Sequence, residues 1–334
     1  MNSTIITFDF LKEFKRIHIK LTDDFFNKIK NKILSEYKSI SKYNKEFLRI
    51  NDATLQWEFK KNAYHPFYRI LKIIETLEVS KKELYDHILG FYHWGSHDKK
   101  YLKIPKELKI DEFLVEGYAL YLAEGDTGFS GNTRPRKFRF TNADINVINH
   151  MIKWINTYFP KNEFYINLIN PKGNNVDFEN IKKLINHNKI NLKEDSYNKL
   201  IKYRICIDRA ILIDLILAIE DKIKELCLKD KKLAAAYIRG MMIGEGTAYF
   251  NRSRYVRIEM RNEKEIKYLH RLFELLGYRC NPSLRSEREN MWSLFIGAKQ
   301  LKKYAKEIGF GIHEKRQKIL EKGVNKVLRV NHYC

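Results

Sequence analysis

Apolar residues recur at helical spacing through Phe67-Tyr-Arg-Ile-Leu-Lys-Ile-Ile-Glu-Thr-Leu77, which predicts a helix with one buried face. Ser80, followed three residues later by Glu83, reads as a capping box that opens another helix. Asn51 to Lys61 predicts a short helix with a polar, basic outer face around Trp57. Residues 1–105 therefore read as a mainly helical domain. Further on the period changes. Phe138 and Phe140 alternate with Lys137 and Arg139, and Val256, Ile258 and Met260 alternate with Arg257, Glu259 and Arg261, as in half-buried strands.

Two segments preceding these strands say nearly the same thing. Gly117-Tyr-Ala-Leu-Tyr-Leu-Ala-Glu124-Gly125 and Ile238-Arg-Gly-Met-Met-Ile-Gly-Glu245-Gly246 are mostly apolar helices ended by one acid and one glycine. Small residues four apart, Ala119 and Ala123 in one and Gly240 and Gly244 in the other, share a helix face and let two backbones approach closely. Glycine just past the acid is a common helix terminator. Packing through those faces would bring Glu124 and Glu245 side by side.

The rest of each half repeats in step. Arg134, Arg136 and Arg139 have the same spacing as Arg252, Arg254 and Arg257, and Asn142 to His150 spans the same interval as Asn262 to His270. Lys202 to Ile207 and Met291 to Ile296 each read as a strand followed by a helix. The expected class is α+β, with one unit of helix, two strands, helix, strands and helix occurring twice. The expected boundaries are residues 1–105, 106–226 and 227–334.

Composition narrows the chemistry. The 334 residues carry a formal net charge of +22, with 44% hydrophobic residues, and a sequence pI near 9.6. A basic surface of this size answers chiefly to nucleic acid. Arginines crowded on strand faces need an anionic partner, and a twisted ribbon fits the DNA major groove, where arginine grips guanine through two bonds. The DNA-binding candidates are Arg134, Arg136, Lys137, Arg139, Arg252, Arg254, Arg257 and Arg261. The longest apolar run, Ala210 to Ile219, falls short of the ~20 residues a membrane span needs. No signal peptide is visible, and four scattered cysteines without metal-ligand spacing point to a reduced, cytoplasmic setting.

Two carboxylates converging in a basic protein point to metal-assisted cleavage of a polyanion. Phosphodiester hydrolysis needs an activated water and neutralisation of charge on the leaving oxygen. Mg²⁺ supplies both with one or two carboxylates, waters and phosphate oxygens. The metal candidates are Glu124 and Glu245 with the residues before them, Ala123 and Gly244. Lys299 and Arg209, each at a strand-to-helix junction, are the candidate catalytic cations. Asp126 reads as a turn residue, because Thr247 stands at its place in the second half. His150 and His270 recur in register within amphipathic helices, where packing or capping is the ordinary role, and His93, Trp94 and His97 form an aromatic cluster.

These motifs resemble those of LAGLIDADG homing endonucleases in their single-chain, two-motif form, over about residues 108 to 325. Ala236-Tyr-Ile-Arg-Gly-Met-Met-Ile-Gly-Glu-Gly246 and Arg257-Ile-Glu-Met-Arg-Asn262 look typical of archaeal members. The resemblance implies two αββαββα units related by a pseudo-twofold axis and a saddle of two sheets along the major groove. It further implies a monomer, a long asymmetric DNA target, one metal-binding carboxylate per strand (Glu124 and Glu245), and double-strand breaks with short 3′ overhangs. Both acids are Glu where many members have Asp, and Ala119 stands where glycine is commoner. The ends lack the residues of protein splicing, which implies a free-standing or intron-encoded enzyme. A catalytically inactive DNA-binding regulator and an RNA maturase are the competing functions. The first would have no use for acids beside phosphate. The succession in residues 51–90 also resembles, loosely, the helix-turn-helix of Cro-like repressor domains.

Overall fold

The computed structural model describes residues 4–7, 17–62, 64–93, 101–102, 107–126, 137–160, 163–251, 253–285 and 288–330. Strand β1 (Thr4–Thr7) pairs antiparallel with β6 (Glu107–Ile110), so the first residues return to the entrance of the first acid-ended helix.

Between them lies a mixed unit. Strands β2 (Ile17–Leu21), β3 (His65–Pro66), β4 (Ile88–His93) and β5 (Tyr101–Leu102) form a sheet in the order β3-β2-β4-β5. Helices α1 (Asp23–Tyr37), α2 (Ile40–Tyr43), α3 (Asp52–Lys61), α4 (Phe67–Thr76) and α5 (Lys81–His87) accompany it. The helical spacing of α4 is realised: Phe67, Ile70, Leu71, Ile73 and Ile74 are buried. Asn51 caps α3, accepting from the Thr54 amide at 3.1 Å. Ser80 occupies the N-cap of α5, but its side chain makes no capping bond, and Glu83 pairs with Lys28 of α1 instead. Strand β3 separates α3 from α4, and β4 follows α5, so these helices are set by a sheet that helical periodicity could not reveal.

The remainder contains two sheets. The first half runs α6 (Glu112–Glu124), β7 (Gly125–Asp126), β8 (Phe138–Asn142), α7 (Ile145–Tyr158), β9 (Tyr165–Pro171), α8 (Phe178–Leu184), β10 (Ile190–Asp195), β11 (Lys202–Ile207), α9 (Ala210–Ala218) and α10 (Glu220–Cys227). The second runs α11 (Lys231–Glu245), β12 (Gly246–Phe250), β13 (Arg254–Met260), α12 (Glu263–Leu275), β14 (Ser283–Leu284), β15 (Trp292–Gly297), α13 (Leu301–Glu307) and α14 (Glu314–Val330). The sheet orders are β10-β9-β11-β8-β7 and β12-β13-β15-β14. Read from the strand after each acid, both sheets place the strand that follows the first inter-strand helix outside the later one. The first half adds α8 and β10, with β10 parallel to β9.

Alternation holds in both sheets. Phe138 and Phe140 are fully buried while Arg139 and Thr141 face outward, and Val256 and Ile258 are buried while Arg257 and Glu259 are half-buried. Helix α9 is apolar nearly all round because it packs against both β4 and β8, joining the N-terminal sheet to the first sheet of the paired halves. No described helix is long and apolar enough to cross a membrane.

Candidate metal and nucleic-acid site

Helices α6 and α11 pack directly on one another. The small residues make this possible. A Cβ on Gly240 would stand 2.2 Å from the Glu116 carbonyl oxygen and 2.9 Å from Ala119 Cβ. One on Gly244 would stand 2.5 Å from Ala123 Cβ and 3.1 Å from Glu124 Cγ. Neither clash involves the yielding end of a long side chain. Both helices end on their acids, and the chain then passes straight into strands β7 and β12.

The terminal glycines act differently from the left-handed terminator expected of them. Gly125 (φ −79°, ψ 147°) and Gly246 (φ −75°, ψ 156°) are extended. A Cβ on Gly125 would meet the Tyr121 carbonyl oxygen at 2.3 Å, and one on Gly246 the Met242 carbonyl oxygen at 2.5 Å. Glycine is needed there for close approach rather than for positive φ.

Glu124 and Glu245 are brought together as the small-residue faces imply. Burial, then the neighbouring Glu245 charge, push the Glu124 carboxyl up to about 7, against the opposing pull of Arg316 and Lys202. Glu245 is more open to solvent; burial still raises its pKa, and Arg316 opposes this. Asn142 Nδ2 donates to Glu124 Oε1 at 3.2 Å, while Asn142 Oδ1 accepts from the Asp144 amide at 2.8 Å. Arg316 Nη1 donates to the carbonyl oxygens of Met242 and Gly244 at 3.1 and 3.0 Å, and also to that of Ile243. Burial lowers the Arg316 pKa, and Glu124, Glu245 and Asp144 raise it in turn.

Sequence reasoning passed over Lys202, Asn142 as an acid's partner, and Arg316. Asn142 lay in the repeated interval and Lys202 at the head of a recognised strand, so both had a visible signal. Arg316 had none, being one cation among many in a basic terminal helix. The two cations chosen from sequence lie differently. Lys299 is exposed in the short turn Ala298–Gln300. Arg209 precedes α9 and donates to the Asp208 carbonyl at 2.9 Å.

Among the described residues, no group of three or more His, Cys, Asp or Glu side chains is placed to hold a metal ion. A pair of carboxylates nevertheless fits a cation that takes most of its ligands from water and phosphate, as Mg²⁺ does. Burial and the like charge of Glu245 both raise Glu124, and a divalent cation would favour the ionised form against both. Ala123 lies against Gly244 in the helix contact, and the Gly244 carbonyl is engaged by Arg316.

The sheets carry the anion-binding candidates. Lys137 pairs with Asp208 at 3.1 Å. Arg139 lies on the outer face of β8, opposite Cys206 of β11, and nearby Arg204 Nε donates to Thr141 Oγ1 at 2.9 Å. Arg257 lies over the Tyr255 ring at 5.6 Å and 3.3 Å from Glu259, which also holds Arg285 at 3.3 Å. Arg261 is exposed just past β13. Arg254 shares the inward register of Val256 and Ile258, opposite to Arg257. Arg134, Arg136 and Arg252 lie outside the described residues, as do Trp94 and His97.

The outer faces differ in character. Tyr249, Tyr255 and Phe295 run across β12, β13 and β15, with ring centroids 5.0 and 4.9 Å apart. The histidines are structural: His150 Nε2 lies 2.9 Å from Glu116 Oε1, and His270 lies 3.6 Å from Glu274. Glu116 also takes Arg239 of α11, so this acid ties the two central helices together and keeps a carboxyl pKa below the usual range; burial opposes that depression, while His150 and Arg239 produce it.

No protein-family model and no curated protein matches the chain. Solved structures similar to it include I-DmoI in complex with DNA and Mn, at 14% identity over 60% of this chain and 98% of that one, with a TM-score of 0.40. The homing endonuclease I-WcaI bound to its DNA recognition sequence is another, at 10% identity over 60% and 82% of the two chains, with a TM-score of 0.39. The N-terminal LAGLIDADG domain of DUF199/WhiA is a third, at 14% identity over 59% and 82%, with a TM-score of 0.37. Two of these neighbours are homing endonucleases and the third is a LAGLIDADG domain.

Proposed function

We propose that the chain is a metal-dependent, site-specific DNA endonuclease, acting as a monomer of two pseudo-symmetric halves. The observation that carries this reading is the junction of α6 and α11, where the small-residue contact brings the two acids together and burial, then the Glu245 charge, hold Glu124 up at about 7. Structural acids are ordinarily paired with cations that lower them, as Glu116 is. Two that crowd one another at a shared helix end are poised for a cation from outside.

Under this reading Glu124 and Glu245 hold Mg²⁺ or a similar divalent ion, one acid serving each DNA strand. The bound ion supplies charge neutralisation and an acidified water. Asn142 fixes the orientation of the Glu124 carboxyl, and Lys202 contributes positive charge where the leaving oxygen develops its negative charge. Arg139, Arg257 and Arg261 grip the duplex, together with Arg134, Arg136, Lys137 and Arg252. The +22 charge supplies the long-range attraction that brings DNA to them.

The test is incubation of the full chain with a randomised duplex library and Mg²⁺, alongside Glu124→Gln and Glu245→Gln. Cutting of a selected sequence by wild type, with each variant nicking one strand, is the expected result. Tight binding without any nick would sink the nuclease reading and leave a DNA-binding regulator. Preferential retention of structured RNA in a parallel pool would favour the maturase.

A further inference from the structure

Helix α14 belongs to the second half in sequence, yet its start is held by the first. His313 Nδ1 lies 3.4 Å from Asp144 Oδ2, and Asn146 Nδ2 donates to Glu314 Oε1 at 3.3 Å. From that anchored turn, Arg316 reaches the end of α11, where Nη1 donates to three successive carbonyls, those of Met242, Ile243 and Gly244. The last carbonyls of a helix have no partner within it and carry the negative end of its dipole. Beyond them lie Glu124 and Glu245, whose charges are the first two that Arg316 feels. A single half-buried guanidinium thus holds the carbonyl end of α11 and stands within the field of both carboxylates.

We propose that Arg316 is the resident counter-ion of the paired-acid site, which a divalent cation displaces on binding. A guanidinium and a metal dication both seek the carboxylate oxygens and the carbonyl oxygens at this helix end, and their like charges disfavour simultaneous close occupancy. Arg316 therefore keeps the two acids from forcing α6 and α11 apart while no metal is present. It also sets the divalent concentration at which the site fills. The inference rests on the reading of Glu124 and Glu245 as metal-binding acids.

The experiment is a titration of the full-length chain with Mn²⁺, following free Mn²⁺ by electron paramagnetic resonance, without DNA. Arg316→Gln keeps an amide that can still donate to a carbonyl but removes the charge. The expected result is a half-saturating Mn²⁺ concentration about tenfold lower than in wild type, within the range such couplings span. Arg316→Lys, which keeps the charge, is expected to stay near wild type. If Arg316→Gln binds Mn²⁺ no more tightly than wild type, while Glu124→Gln and Glu245→Gln abolish binding, Arg316 is only a helix cap and the counter-ion role is overturned. If no variant and not even wild type binds Mn²⁺, the metal reading falls and takes this inference with it.

A second measurement needs no variant. Amide hydrogen exchange in residues 313–320 of wild type is expected to speed up by severalfold when Mn²⁺ is added, because the displaced guanidinium releases its anchor on α11. Unchanged exchange at saturating Mn²⁺ overturns the proposal.

Discussion

Glu124 and Glu245 end helices of the same design, but the halves around them are built differently. At the first acid, Asn142 donates to the carboxylate and leaves the capping of α7 to Asp144, which accepts from the Asn146 amide at 2.9 Å. At the second, Asn262 stands in the corresponding place and is itself the cap of α12, accepting from the Glu265 amide at 3.2 Å. The first carboxylate is half-buried and has Lys202 near it; the second is exposed and has Arg316 bound to its own helix. The outer face of the first sheet is polar, whereas the second exposes Tyr249 at 41% and Phe295 at 47%. The two halves share the position of the acid at a helix end and differ in what surrounds it. The difference teaches that matching spacing in the sequence brings two acids to one junction without giving them equal environments.

The comparison is broken most severely at the acids themselves. Glu124→Gln should slow nicking of one strand by about 10²–10³-fold, and Glu245→Gln the other, the size of effect seen when charge stabilisation is removed from a developing oxyanion. Strand-specific labelling of a selected target reads this directly. A variant that slows both strands alike would show that the acids act as one site.

The helix contact comes next. Gly240→Val drives a branched side chain into the Glu116 carbonyl and should destabilise the fold by about 3 kcal/mol. Its counterpart Ala119→Gly should cost under about 1 kcal/mol, the penalty of glycine inside a helix. Urea melts of the two variants measure the asymmetry, and equal losses would deny that Gly240 is the tight side.

Glu116 joins α6 to α7 and α11 through His150 and Arg239, whereas the equivalent position in α11 is Tyr237, which donates to Glu265 at 2.6 Å. Glu116→Ala leaves Arg239 and the His150 ring without their shared partner and should cost about 3 kcal/mol at pH 7. Glu116 has a depressed pKa, so its contribution is present above the usual carboxylate range and is lost as pH falls through the lower folded value. Wild type and variant should therefore converge in stability in acid.

A smaller effect concerns pH at Glu124. Its folded pKa of about 7 lies above the ordinary value of 4.5, so the folded state holds a proton there that the unfolded state has released. In the metal-free chain, stability contributed by this group is present at low pH and is lost as pH rises from 4.5 through 7. Divalent binding needs the ionised form and should strengthen over the same interval. Glu245→Gln removes the like charge and should move the Glu124 titration downward, as carbon-13 chemical shifts of the labelled carboxyl would show. An unmoved titration would mean that burial alone raises it.

Smallest are the sheet cations. Arg139→Ala and Arg257→Ala should each reduce the salt slope of DNA binding by about one, if each meets one phosphate. An arginine that reads a base would instead relax specificity at one position and leave the slope nearly unchanged. The aromatic surroundings of Arg257 make it the better candidate for that second outcome.

The amino-acid order alone determined the acid-ended helices, the alternation of the strands behind them and the repeat itself. These depend on local period and on residue size, which a linear string records. Gly240 and Gly244 announced a close helix contact because nothing else explains small residues four apart in an apolar helix. The N-terminal sheet was only partly legible: β2 alternates buried Ile17, Ile19 and Leu21 with His18 and Lys20, a signal passed over, while β3 and β5 are two residues each and leave no periodic trace. The added parallel strand β10 escaped for a related reason: its side chains are largely exposed, so no apolar alternation marks it.

Only the tertiary structure decided which cations stand near the acids. Lys299 and Arg209 occupied plausible junctions in the sequence, but Arg316, far along the chain, is delivered to the site by the docking of α14 against α7 and α11. A charge's partner is set by distance in space and by the burial that strengthens its field. The sequence states that two carboxylates belong to one junction; the packing of a distant helix settles which charge keeps them company.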